Sequence, residues 1–211
     1  MLEWLFLIVI LIFSAVLHEV AHGAMAYRLG DPTAKYMGRL TINPLKHLDL
    51  FGSIIMPFFL VLLKSPVLFG YAKPVPINPY NFRDQKWGSA KVAFAGPAVN
   101  LMVALCFGLI SRTFSFLPAF PGQPAIYVMF SYIVYINILL AVFNLLPIPP
   151  LDGSHILFSF LPSGAEEIKI GLSRFGIFIL LFIIFFFPHQ LFFLINFIFH
   201  LIMGSSLGSL G

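Results

Sequence analysis

Apolar runs long enough to cross a lipid bilayer recur from one end of the 211-residue chain to the other, and that recurrence restricts the fold more than any single residue does. A hydrocarbon layer about 30 Å thick needs about 20 apolar residues in a helix rising 1.5 Å per residue. Core helices are predicted at about 3–29, 88–110 and 125–146, with C-terminal helices at about 166–187 and 189–203. With 60% of residues apolar and 9% charged, the composition argues against a soluble domain. The expected fold is an all-α polytopic membrane protein of about five to six transmembrane helices, one domain over 1–211. The first run resembles the apolar core of a signal peptide. However, Glu3 stands where a positive region belongs and no small-residue cleavage site follows, so it is read as a mature helix.

Gly30, Asp31 and Pro32 end the first helix. A polar loop with Lys35, Arg39 and Lys46 follows, and then "FGSIIMPFFLVLL", 13 apolar residues that suit a re-entrant segment better than a full span. A re-entrant, partly β region is therefore predicted at about 36–82. If residues 51–70 dip in and return, the basic loops from Arg28 to Lys91 share one face with Lys169 and Arg174, leaving only Arg112 opposite. Lysine and arginine collect on the cytoplasmic side, which puts the N-terminus outside. The formal charge of +4 thus reports topology and no nucleic-acid partner. Cys106 is the single cysteine, which excludes an internal disulfide, and it is read as a small core residue.

Against this background the sequence "HEVAH" at 18–22 is costly. A charged group near the bilayer centre costs on the order of 2.5–3.5 kcal/mol even on mild insertion scales. Residues four apart share a helix face, so His18 and His22 can reach one tetrahedral Zn²⁺, while Glu19 stays free to accept a proton from water. Hydrogen bonding of an interfacial His/Glu cluster to loops is the alternative. A zinc site open to substrate needs a third protein ligand. Pro147, Pro149 and Pro150 stop the 125–146 helix and enforce an extended approach to Asp152, the only acidic residue between Asp84 and Glu166. Gly153 would allow the turn that aims Asp152 inward, although an Asp-Gly turn capping a helix at Ser154 reads similarly.

"HEVAH" on a membrane helix, "AGPAVN" on a middle helix and "FNLLPIPPLDG" at the end of a later one together resemble the site-2 protease family, the zinc intramembrane proteases of peptidase family M50. The likeness covers nearly the whole chain, in the family's order, and is closest to the minimal type without PDZ or CBS domain. It implies one Zn²⁺ per chain held by His18, His22 and Asp152, with Glu19 as the catalytic acid/base. Gly96 and Asn100 match the family's GxxxN element. Many members carry NPDG where this chain has PLDG, so an asparagine is missing there. Asn144, seven residues after Asn137 on the same helix face, could replace it. Asn144, Asn100 and Asn137 are candidates to hold substrate or an oxyanion, with interhelical hydrogen bonding the alternative.

A helical substrate must unwind before hydrolysis, because its carbonyls are already bonded. Strand addition would hold it open. In "YAKPVPIN", Pro74 and Pro76 lack N–H groups while Val75 and Ile77 keep theirs, which reads either as a strand with one usable edge or as a rigid Pro-rich loop. His155 is a candidate to support the ligands from behind; His47, His189 and His200 read as loop or interfacial residues.

The expected function is zinc-dependent intramembrane endopeptidase activity on transmembrane segments of protein substrates. The expected location is a bacterial or archaeal cell membrane, in contact with lipid, with the site opening toward the cytoplasm. The alternatives are a zinc transporter, which needs ligands spread along a path, and a catalytically idle zinc-binding scaffold. Substrate identity and oligomeric state are not encoded in any motif found.

Overall fold

The structure is a computed structural model that describes residues 2–47, 73–114, 122–162 and 164–204. The helices are α1 (Leu2–Arg28), the single turn α2 (Thr33–Tyr36), α3 (Gly88–Phe114), α4 (Gln123–Asn144), α5 (Asp152–Phe160), α6 (Glu166–Phe186) and α7 (Pro188–Met203). Four of them, α1, α3, α4 and α6, are long and apolar enough to cross a membrane. The 16 residues of α7 make it about 24 Å long, short of the hydrocarbon thickness. The described residues are those of an integral membrane protein whose regular structure is all helical, as the apolar patterning predicts.

Most of the re-entrant region predicted at 36–82 lies outside the described residues. Its described part shows none of the expected β content: no strand occurs among the described residues, and 73–78 has no regular secondary structure. Pro74 and Pro76 lack the N–H groups a ladder would need. The sequence reading gave α5 only as the alternative of a helix capped at Ser154, because its nine residues carry too few turns for a periodic signal.

α3 lies between α1 and α4. His22 bonds to Val92 while Ser14 bonds to Asn100, so α1 and α3 run antiparallel. Asn100 meets Asn137 and Phe107 meets Phe130, so α3 and α4 do too. This alternation brings the later part of α1, the first half of α3 and the end of α4 to one depth. Pro147 prevents α4 from continuing, and the chain turns there into α5. α7 closes the other end, where Ile195, Phe199 and Ile202 pack with Ala104, Val134 and Ile138.

Candidate metal centre

The centre is built from the antiparallel register of α1 and α3 and from the turn after α4. His18 and His22 are buried on one face of α1, their rings edge to face with centroids 4.6 Å apart. Asp152, in the first turn of α5, points its Oδ2 at both: 2.9 Å from His18 Nε2 and 3.3 Å from His22 Nε2. The three donor atoms lie within 4.8 Å of one another. Ligands about 2.0–2.1 Å from a tetrahedral Zn²⁺ stand about 3.3 Å apart, so the triangle is of the right size.

The far nitrogens test the fit independently. His18 Nδ1–H donates to Asn100 Oδ1 at 2.6 Å, and His22 Nδ1–H donates to the Val92 carbonyl at 2.7 Å. Each ring's proton is thereby committed away from the centre, and each Nε2 turns a lone pair toward a carboxylate oxygen. Lone pair facing lone pair is repulsive unless a cation stands between them, and a histidine oriented by its other nitrogen is the usual setting of a metal ligand. Neutral nitrogen and carboxylate donors suit zinc.

Gly96 makes the close approach possible. A Cβ there would lie 2.6 Å from Nε2 of both His18 and His22, so any side chain on this turn of α3 would fill the cradle. Gly153 is needed for a different reason than the turn first read from the sequence. A Cβ would meet the Leu145 and Leu146 carbonyls at 2.3 and 2.4 Å, so close packing of α5 against the turn that follows α4 requires it.

Glu19 is no part of the donor triangle. It lines the same cavity of about 440 Å³, together with Asn144 and the exposed His155. Glu19 Oε2 accepts a hydrogen bond from the Val75 N–H at 2.8 Å. Val75 is buried on the cavity wall and Ile77 packs with Ala26, Phe82 and Val92. Asn100 and Asn137 are wholly buried and outside the cavity lining. Asn100 Nδ2 donates to Asn137 Oδ1 at 2.8 Å and to the Ser14 carbonyl at 3.2 Å, and Asn137 Nδ2 donates to Ser14 Oγ at 2.9 Å. Their amides bind α1, α3 and α4 together and orient His18. Ser14 escaped the sequence reading, although its spacing of four from His18 was a usable signal.

Residues 121–183 match the profile of peptidase family M50. Over 185 residues the chain is 38% identical to YwhC of Bacillus subtilis, by its name a candidate zinc metalloprotease, covering 84% of this chain and 80% of that protein. It is 33% identical over 149 residues to Rip2 of Mycolicibacterium smegmatis, named likewise, covering 67% of this chain and 52% of Rip2, so it spans about half of that relative. The zinc metalloprotease MJ0392 of Methanocaldococcus jannaschii is 25% identical over 158 residues, or 75% of this chain and 35% of that protein. No solved structure matches the chain.

Proposed function

The chain belongs to peptidase family M50, a family of zinc metalloendopeptidases, and from that premise we propose that it is an intramembrane protease cutting transmembrane segments of other proteins. The observation that carries this reading is the convergence of His18 Nε2, His22 Nε2 and Asp152 Oδ2 on one point beside a carboxylate, Glu19, that is left free of it. These three residues would hold one Zn²⁺. When bound, the ion supplies Lewis acidity that polarises a scissile carbonyl and lowers the pKa of water.

The chain's own residues supply the rest. Glu19 accepts a proton from the attacking water and returns it to the amine that leaves as the C–N bond breaks, so one water is consumed and a carboxylic acid and an amine result. Asn100 and Val92 keep the imidazoles aimed. Asn144 lies on the cavity wall; its Nδ2 donates one hydrogen to the Leu140 carbonyl at 2.9 Å, and the other is the candidate to steady a substrate carbonyl. Pro74, Val75, Ile77, Pro79, Phe82 and Ser89 line this cavity, in the stretch of sequence that carries Lys73, Arg83, Lys86 and Lys91, which supports an opening toward the cytoplasm. A membrane setting also explains why a substrate must be held extended.

The test is cleavage of a panel of model transmembrane substrates by purified protein in detergent, comparing wild type with Glu19→Gln and measuring bound zinc in both. Loss of an acid/base lowers the rate by about 10²–10⁴-fold, and the variant should keep its zinc. Equal cleavage by both proteins rejects the role of Glu19. Zinc on both with cleavage by neither, alongside zinc flux in liposomes, favours transport.

A further inference from the structure

α1 ends in a motif that hands the chain directly to a buried carboxylate. Gly30 takes φ +110°, its N–H donates to the Tyr27 carbonyl at 3.1 Å, and the Asp31 N–H reaches back to the Ala26 carbonyl at 2.9 Å. Asp31 is completely buried and forms no ion pair among the described residues. Its charge is met by N–H and O–H donors alone: Oδ2 accepts from the Asn78 N–H at 2.7 Å, and Oδ1 from Asn81 Nδ2 at 2.8 Å, Thr33 Oγ1 at 2.5 Å and the Thr33 N–H at 3.2 Å. Burying a charge is expensive, and ending a helix does not require it, because Gly30 already does so.

What the carboxylate gains is a fixed grip on residues 47 and 50 positions away. The Arg83 N–H adds a bond to the Leu29 carbonyl at 2.8 Å. From this anchor the chain runs back along α1. Ile77 packs against Ala26, and Val75 rests on Gly23, where a Cβ would lie 2.9 Å from Val75 Cγ1. Glu19, Gly23 and Ala26 share one stripe of the helix. At the end of that stripe the Val75 N–H reaches Glu19.

The register matters because of the local sequence, Pro74-Val75-Pro76. A slip of one residue in either direction would place a proline, which has no N–H, over the carboxylate. We infer that Asp31 is a positioning residue for the proteolysis proposed above: by holding Asn78 and Asn81 it fixes which backbone group of residues 73–77 faces Glu19, and so the alignment of any substrate laid between them. This inference rests on the protease reading for its kinetic consequence, whereas the anchoring itself does not.

The experiment uses the full chain in detergent, as wild type, Asp31→Asn and the exchange Asp31→Asn/Asn81→Asp, which restores a side-chain pair of the same two groups. Hydrogen exchange followed by mass spectrometry over 73–83 reads the anchor without substrate, and loss of protection is expected in Asp31→Asn. With a transmembrane substrate that wild type cleaves, Asp31→Asn should lower kcat about 10–100-fold, the cost of a misplacement near 1 Å, with KM changed less than about threefold and zinc content unchanged. The exchange should recover most of kcat. Unaltered protection, unaltered kcat, or zinc and kcat falling in proportion would each overturn the inference. Should Asp31→Asn fail to fold, Asn81→Ala removes one donor, with several-fold loss of kcat at full zinc expected and no loss counting against it. Altered exchange in Asp31→Asn, in a protein that holds zinc but whose wild type cleaves no transmembrane substrate, would sink the protease reading and leave the anchor standing.

Discussion

The two ends of the helical array bury different chemistry. α1, α3 and α4 enclose Ser14, His18, His22, Asn100 and Asn137, all buried and hydrogen-bonded to one another or to backbone. In α6 and α7 the fully buried residues are glycine or apolar, and Phe178, Phe185 and Phe193 stand exposed. In water those phenylalanines would cost solubility; against lipid tails they cost nothing. Apolar contact between helices gains little over contact with lipid, so in the membrane a buried polar group must be explained by what it holds. In the first region it holds the two imidazoles of the proposed metal site in their orientation.

That contrast can be broken or sharpened. Asn100→Ala should weaken zinc binding about 10–100-fold, the usual cost of removing the partner of a ligating histidine, and a competition titration with a fluorescent chelator would measure it. Unchanged affinity would mean that the polar interior only joins helices. Acid provides a smaller effect. The Asp31 carboxyl is held below its ordinary 3.8: burial pushes it up, but bonds from Thr33, Asn78 and Asn81 outweigh that. A carboxylate with a lowered folded pKa contributes stability that is complete above its unfolded pKa and lost as pH falls through the folded value. The gap in thermal midpoint between wild type and Asp31→Asn, followed by tryptophan fluorescence, should therefore be constant from pH 7 to about 4 and narrow below. The smallest effect belongs to the lipid-facing end. Phe185→Leu, at an exposed position, should leave zinc, cleavage and unfolding in detergent within about 0.5 kcal/mol of wild type.

Much of this was legible in the sequence for a physical reason. Helix length in a membrane is set by hydrocarbon thickness, so α1, α3, α4 and α6 announce themselves, and two histidines four apart announce a shared face. Asp152 could be singled out because few carboxylates compete with it. The grip of Asp31 on Asn78 and Asn81 was not legible: locally, "GDP" reads as a helix stop, and nothing in a run of residues reports a partner 47 positions on. Val75 posed a related difficulty. Its spare N–H between two prolines was visible, but the direction of that N–H depends on how residues 73–78 lie on α1, a tertiary fact. Asn100 and Asn137 admitted two readings because an amide suits both a substrate and a neighbouring helix.

The chain of bonds from Asn137 through Asn100 to His18 has a polarity. The amide of Asn100 gives its hydrogens to α1 and α4 and shows its oxygen to the imidazole. Turned by 180°, the same side chain would present N–H groups to His18 Nδ1, drive the ring's proton to Nε2 and leave no lone pair for a metal. Ser14 and Asn137 forbid that rotation by claiming the donor end. The capacity of the site to take a cation is in this sense written as the orientation of one amide, fixed by a serine four residues before the first ligand and an asparagine two helices away.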